Sequence, residues 1–173
     1  SETGTFITGL FNKEDWDGAK WIAYEEVSDS LLLVPGVHGN GDKLGNKALK
    51  RTVVPLLRKE FTAKAKVKKA LVFISGLGHY ELSINGEKIG ERRTCLFNTY
   101  DVTDNLEKGQ NTFGVILGNG FHNVNRERYR KLVIAYGAPE MILKMPISYP
   151  DGSTETIISD ESWKSAPSPV TFS

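Results

Sequence analysis

The 173-residue sequence predicts an all-β domain, an antiparallel β-sandwich of the jelly-roll, galactose-binding-like kind. Three observations carry that expectation. Short runs rich in β-branched and aromatic residues recur along the chain, Gly, Asn and Asp turns separate them, and no β-α-β alternation is present. Helical patterning is confined to residues 101–106, where Asp101 or Thr103 can cap a single turn before Gly109 ends it.

Residues 67–75 read VKKALVFIS and contain the unbroken apolar run Leu71, Val72, Phe73, Ile74, too short for a buried helix. This predicts a strand covered on both faces. After Gly76-Leu77-Gly78, the apolar residues Tyr80, Leu82 and Ile84 alternate with Glu81 and Ser83, and Asn85-Gly86 supplies a two-residue turn that tolerates positive φ. A hairpin follows. Residues 112–118 come after the turn-forming Lys108-Gly109-Gln110-Asn111 and have the composition of an inner strand. Met141, Leu143, Met145, Ile147 and Tyr149 fall on alternate positions, and Asp151-Gly152 turns the chain into residues 154–159, a second hairpin. Pro146 has no N–H for a ladder bond, which places part of this strand on an edge or at a bulge. Residues 25–50 hold Pro35-Gly36, Gly39-Asn40-Gly41-Asp42 and Gly45-Asn46 and read as a long irregular loop, a rim element or a mobile one. No repeat or second composition regime divides residues 1–173, so a single module is expected.

Charge excludes several functions. Lys plus Arg is 22 against 21 for Asp plus Glu, a formal net charge of +1, so no strong field draws the chain to nucleic acid or an anionic surface. No apolar run approaches the ~20 residues that span a bilayer, and the first residues lack the basic and apolar parts of a signal peptide. Cys95, the sole cysteine, forms no internal disulfide and no multi-cysteine zinc site. Lys64, Lys66, Lys68 and Lys69 read as a solvated face that discourages edge pairing. Arg126, Arg128, Arg130 and Lys131 could meet an acidic partner, although Glu127 interrupts them.

Catalytic signatures are missing from the local sequence. There is no Gly-x-Ser-x-Gly, no phosphate-cradling glycine motif between a strand and a helix, and His38, His79 and His122 have no ligand spacing. Glu81, Glu87, Glu91, Asp101 and Asp104 lie near the central strands at turn or solvent-facing positions, and a self-contained glycosidase would need two of them facing across a sugar. Two glycine-bearing segments suit a small polar ligand. In 118–123, GNGFHN, the glycines permit close backbone approach, Asn119 and Asn123 offer donors and acceptors, and Phe121 and His122 offer flat faces for the C–H side of a sugar. The bland alternative is a tight turn with Phe121 in the core. The second segment, 76–81, carries His79, Tyr80 and Glu81, and both segments follow long apolar strands, so they can meet at one end of the sandwich. Their oxygens also suit a hard cation such as Ca²⁺, without EF-hand spacing.

The ordered succession of residues 57–61 (LRKEF), 74–90 (ISGLGHYELSINGEKIG), 99–106 (TYDVTDNL) and 117–123 (LGNGFHN) resembles the β-sandwich that precedes the catalytic barrel of bacterial α-L-rhamnosidases. WDGAKWI at 16–22 and DGSTETIISDESWK at 151–164 resemble the opening and the closing hairpin of that module. The resemblance implies a noncatalytic, carbohydrate-binding or bracing module of an inverting glycoside hydrolase that removes terminal L-rhamnose, in a periplasmic or extracellular setting. It implies a partner catalytic domain on the same parent chain, with the acid and base carboxylates there. It also implies Ca²⁺-dependent rhamnose binding, with Asn119 as candidate metal and sugar ligand and with Tyr80 and Glu81 as further positions, while His122 and Asn123 are sugar contacts expected from the composition of residues 118–123. One departure stands out: only residues 91–98 lie where the family carries a longer aromatic loop, which predicts a shallow pocket or a bracing role without a sugar site.

Overall fold

A computed structural model describes residues 9–29, 32, 53–92, 96–124 and 136–170. It holds β1 (Ile22–Ala23), β2 (Pro55–Ala63), β3 (Lys69–Leu77), β4 (His79–Ile84), β5 (Glu87–Arg92), β6 (Asn98–Asp101), β7 (Gly109–Gly118), β8 (Glu140–Ser148), β9 (Thr154–Ile158) and β10 (Lys164–Pro167). These form two five-stranded sheets in which every pairing is antiparallel. The first runs β1-β8-β3-β6 with β9 also on β8, and the second runs β10-β2-β7-β4-β5. The expected all-β sandwich is what the chain forms.

Alternation along the strands makes the core. On β7 the inward positions Asn111, Phe113, Val115 and Leu117 are buried while their neighbours are partly exposed, and Tyr80, Leu82 and Ile84 repeat the pattern on β4. From the first sheet, Met141, Leu143, Met145 and Ile147 of β8 join Val72 and Ile74 of β3 in the same core. β3 is buried on both faces from Val72 to Ser75, as its unbroken apolar run predicts. Phe113 lies at the centre of an aromatic stack, 5.0 Å from the Phe61 ring and 5.8 Å from Trp163. Trp163 sits on the connection from β9 to β10, and its indole N–H donates to the Ile158 carbonyl (2.9 Å), so the chain crosses between the sheets with its polar group satisfied.

The turn at Asn85-Gly86 forms with φ of 52° and 84°, the positive pair a two-residue hairpin requires. A polar network locks it. Asn111, 1% exposed, accepts from the Asn85 side chain (2.9 Å) and from the Glu107 backbone (2.9 Å), and Asn85 Oδ1 accepts from the Thr112 amide (2.9 Å). β7 begins earlier than its composition predicts, because Gly109, Gln110 and Asn111 already pair with β2. The single turn near residue 103 is a 3-10 turn over Thr103–Asn105, with Asp101 Oδ1 accepting from the Thr103 amide (3.2 Å).

Pro146 requires a correction. β8 is an interior strand, flanked by β3 on one side and by β1 and β9 on the other, so the proline is on no edge. It sits in a gap of the β3–β8 ladder: pairs form at Ala70↔Ile147 and again at Phe73↔Lys144 in the same register, and the two positions between them drop out. The ladder opens where the N–H is missing, with no residue inserted. The lysines at 64, 66, 68 and 69 are all exposed; Lys69 pairs with Asp101, and Lys64 lies 4.8 Å from the centre of the Tyr149 ring. His38, Cys95, most of the 25–50 loop and the basic run at 126–131 lie outside the described residues.

Candidate functional site

The two glycine-bearing segments meet at one end of the sandwich, as their positions after long strands predict. β4 and β7 are paired from His79↔Gly118 onward, which sets the two loops side by side. Contact is close enough to exclude a side chain at Gly78: its φ is 110°, and a Cβ there would lie 2.3 Å from the Gly118 carbonyl oxygen. A Cβ on Gly120 would lie 2.7 Å from the His79 ring, so each loop seats against the other's histidine or backbone.

Within the second loop the chain turns tightly. The Asn119 carbonyl accepts from the amides of His122 (3.1 Å) and Asn123 (3.3 Å), and both asparagines are buried, at 5% and 3% exposure. Phe121 is thrown outward and is 73% exposed, which corrects the alternative of a tight turn with Phe121 in the core. The turn forms, but it lies past the end of β7 at Gly118, with Phe121 on its outer side. Asn123 Nδ2 donates to the Gly137 carbonyl (3.4 Å), the Tyr136 amide donates to the His122 carbonyl (3.0 Å), and the His122 and Tyr136 rings are 5.8 Å apart. The loop is thereby stitched to the segment that leads into β8.

Tyr80 and Glu81 follow the alternation of β4 instead of joining this surface. Tyr80 is 2% exposed, faces the core, and its hydroxyl accepts from Asn98 Nδ2 (2.6 Å) and lies 3.3 Å from the Tyr100 hydroxyl. Burial, then the Tyr100 hydroxyl, pushes its phenol above the usual range. Glu81 faces outward and pairs with Lys88 (2.8 Å). The other carboxylates that sequence placed near the central strands are also committed or exposed: Glu91 binds the same Lys88 (2.6 Å), Asp101 binds Lys69, Glu87 accepts from Asn105 (3.0 Å), and Asp104 faces solvent.

A calcium ion at Asn119 would have to be met by the side-chain oxygen of that residue. Among the described residues no group of three or more His, Cys, Asp or Glu gathers to hold a metal, so backbone carbonyls would have to complete the shell.

Beside the loop lies an element that the sequence reading missed. An open groove of about 420 Å³ runs between residues 21–27 and 136–140, with Trp21, Tyr24, Tyr136 and Glu140 among its walls. Glu140 opens β8 and is paired across to Ala23 on β1 and Leu77 on β3, so the groove floor adjoins the first glycine segment. The available signal was the aromatic run Trp16, Trp21, Tyr24 followed by Glu25 and Glu26.

Two antiparallel sheets with a loop-borne polar surface at one end define a galactose-binding-like β-sandwich module. The match to a family model is specific: residues 65–173 match the alpha-L-rhamnosidase N-terminal domain, and the chain belongs to that family. An alpha-L-rhamnosidase of Formosa agariphila is 29% identical over 186 residues, covering 99% of this chain and 20% of the relative. Among solved structures, the alpha-L-rhamnosidase of Dictyoglumus thermophilum is 37% identical with a TM-score of 0.66, covering 94% of this chain and 18% of that one. The enzyme of Aspergillus terreus is 31% identical with a TM-score of 0.70, covering 95% and 18%. The chain thus spans about a fifth of the length of the first curated relative it matches.

Proposed function

We propose that this chain is a noncatalytic module of a larger α-L-rhamnosidase and that the glycine-loop end of its sandwich binds carbohydrate, with terminal L-rhamnose as the sugar. The observation that carries the reading is the convergence of Gly78 on Gly118 and of Gly120 on His79. It brings the partly exposed backbone of Gly118 and Gly120, the His122 ring and the outward Phe121 onto one surface, with buried Asn119 and Asn123 setting its shape. Hydroxyl groups find donors and acceptors there, and the C–H face of a pyranose finds an aromatic ring. A calcium ion held at Asn119 supplies, when bound, a hard centre for sugar hydroxyls. Tyr80 supports the loop from within the core, and Glu81 flanks it from the outer face of β4. Bond cleavage belongs to the rest of the parent chain, consistent with the pairing of this module's central carboxylates to Lys88 and Lys69.

Calorimetry tests the reading. L-rhamnose titrated into the chain with calcium present should give a saturable heat that chelation removes, and no heat at millimolar sugar would overturn sugar binding. Purified chain should leave an aryl α-L-rhamnoside intact. Turnover above background, lost on changing one carboxylate, would replace the noncatalytic reading.

A bracing role has its own observation. Phe97 packs edge-on to Trp16 (6.2 Å) and against Gly9, while the neighbouring Phe11 and Leu96 are 78% and 65% exposed. Such apolar exposure at one sheet edge suits a face covered by the remainder of a longer parent. Phe11→Ser with Leu96→Ser should then lower the unfolding temperature of the joined parent protein while leaving that of the isolated chain unchanged.

A further inference from the structure

The groove beside the loop end is a second surface with its own chemistry. Its walls carry two half-exposed aromatic rings, Trp21 at 43% and Tyr136 at 44% exposure, together with Tyr24. Exposed aromatics of this size in a concavity are platforms for the C–H faces of sugar rings. Glu140 lies half-buried in its lining, and burial pushes its carboxyl up. When ionised, its two oxygens accept and cannot donate, so a ligand bringing paired O–H donors would satisfy them. The described lining includes Glu25 and Glu26 and contains no lysine or arginine. At about 420 Å³ the groove is within the usual size range of small-ligand sites.

Position connects this groove to the loop end. The Tyr136 amide binds the His122 carbonyl, Asn123 binds the Gly137 carbonyl, and Glu140 is the ladder partner of Leu77, one residue before Gly78. A chain of sugar residues leaving the loop end therefore has an aromatic-walled channel directly alongside.

We propose that the groove formed by Trp21, Tyr24, Tyr136 and Glu140 is a glycan-chain subsite, which holds the sugar units next to a terminal residue seated at the glycine loops. This deepens the carbohydrate-binding reading and rests on it for the terminal sugar. The rings stack on the inner sugar units, and Glu140 accepts from a pair of adjacent hydroxyls.

The test compares free L-rhamnose, a rhamnose-terminated tetrasaccharide and tri-lysine as ligands, each titrated into the whole chain and into Trp21→Ala, Tyr136→Ala and Glu140→Gln. Binding is read by calorimetry and by tryptophan emission. The tetrasaccharide should bind at least tenfold more tightly than L-rhamnose, and Trp21→Ala should remove that gain while leaving L-rhamnose binding unchanged. Glu140→Gln should weaken the tetrasaccharide severalfold, since the amide oxygen still accepts. Trp21 and Tyr136 are half-exposed and outside the buried core, so the two alanine variants should stay folded with unfolding midpoints near that of the wild type, and agreement between them guards against a folding defect in either. If L-rhamnose binds and the tetrasaccharide gains nothing, the groove proposal falls and the loop reading stands. Tetrasaccharide binding that needs Trp21, without any L-rhamnose binding, keeps the groove and overturns the loop reading. If neither sugar binds, both fall. Tri-lysine binding that Glu140→Gln abolishes would make the groove a cation site and overturn the glycan assignment.

Discussion

Replacing Ser159 with alanine should loosen the segment that carries Trp21 and Tyr24 and destabilise the whole chain. β1 and β9 share one edge of β8, with pairs at Met141 and Glu140 on β1 and from Lys144 onward on β9, so residues 142–143 have no ladder partner there. Ser159 closes that gap. Its backbone amide donates to the Leu143 carbonyl (2.9 Å), its hydroxyl accepts from the Leu143 amide (3.0 Å) and donates to the Lys20 carbonyl (2.6 Å), and its carbonyl accepts from the Lys20 amide (2.8 Å). The residue is 0% exposed. Alanine keeps both backbone bonds and removes both hydroxyl bonds. The Leu143 amide, a buried donor left unmet, costs about 1–3 kcal/mol, and loss of the hydrogen bond to the Lys20 carbonyl adds roughly 1 kcal/mol. Their sum, about 2–4 kcal/mol, corresponds to an unfolding midpoint lower by roughly 5–10 °C for a chain of this size. Urea unfolding gives the free energy, and hydrogen exchange at Ile22 and Ala23 should show the local loosening before global unfolding. A loss below about 0.5 kcal/mol, within the range of ordinary surface changes, with unchanged exchange, would refute the claim that this hydroxyl bridges the gap.

Gly78→Ala should cost about 2–4 kcal/mol, from a positive φ and a clash with backbone at Gly118; chemical denaturation checks the stability, and retained wild-type stability would mean that the loops separate without penalty. On the acid side, the Lys69 ammonium beside Asp101, followed by Thr103, holds the Asp101 carboxyl below its usual value. The stabilisation is therefore complete above the unfolded value of ~3.9 and is lost as pH falls through the lower folded one. Asp101→Asn should flatten that part of the stability profile, by a small amount because the side chain is half-exposed. At alkaline pH the sign reverses: burial pushes the Tyr149 phenol up to about 12, with the Glu155 hydrogen bond adding to it, and Tyr80 is raised as well. The unfolded chain releases these protons near pH ~10, so stability should fall from there towards the folded values. Tyrosinate absorbance should show both phenols still protonated at pH ~11 in the folded chain, and a single transition of all tyrosines near pH ~10 without unfolding would overturn the burial argument.

Much of the strand layout was legible because its signals are local. The alternation Tyr80, Leu82, Ile84 ahead of Asn85-Gly86 leaves one arrangement that buries the apolar set and satisfies the turn, and the 141–149 alternation before Asp151-Gly152 behaves likewise. The meeting of the two glycine segments was legible for the same reason, since each follows a long inner strand. Pro146 was misplaced because a missing N–H can be accommodated by opening an interior ladder as well as by an edge, and only the neighbouring strands decide which. Phe121 faces solvent although its type suits the core, because the turn held by the Asn119 carbonyl leaves it beyond the last strand pair.

What the sequence determined by itself was the period-two patterning, the turn positions and the ordered motifs that resemble the rhamnosidase module, all properties carried by neighbours along the chain. The groove needed the tertiary structure. Trp21 and Tyr136 are 115 positions apart, and they share a concavity only because β1 and β8 pair antiparallel at Ala23↔Glu140 and the Tyr136 amide binds the His122 carbonyl. Likewise Tyr80 and Glu81 are adjacent in sequence yet face opposite sides of β4, because the pleat separates neighbours that a linear motif places together.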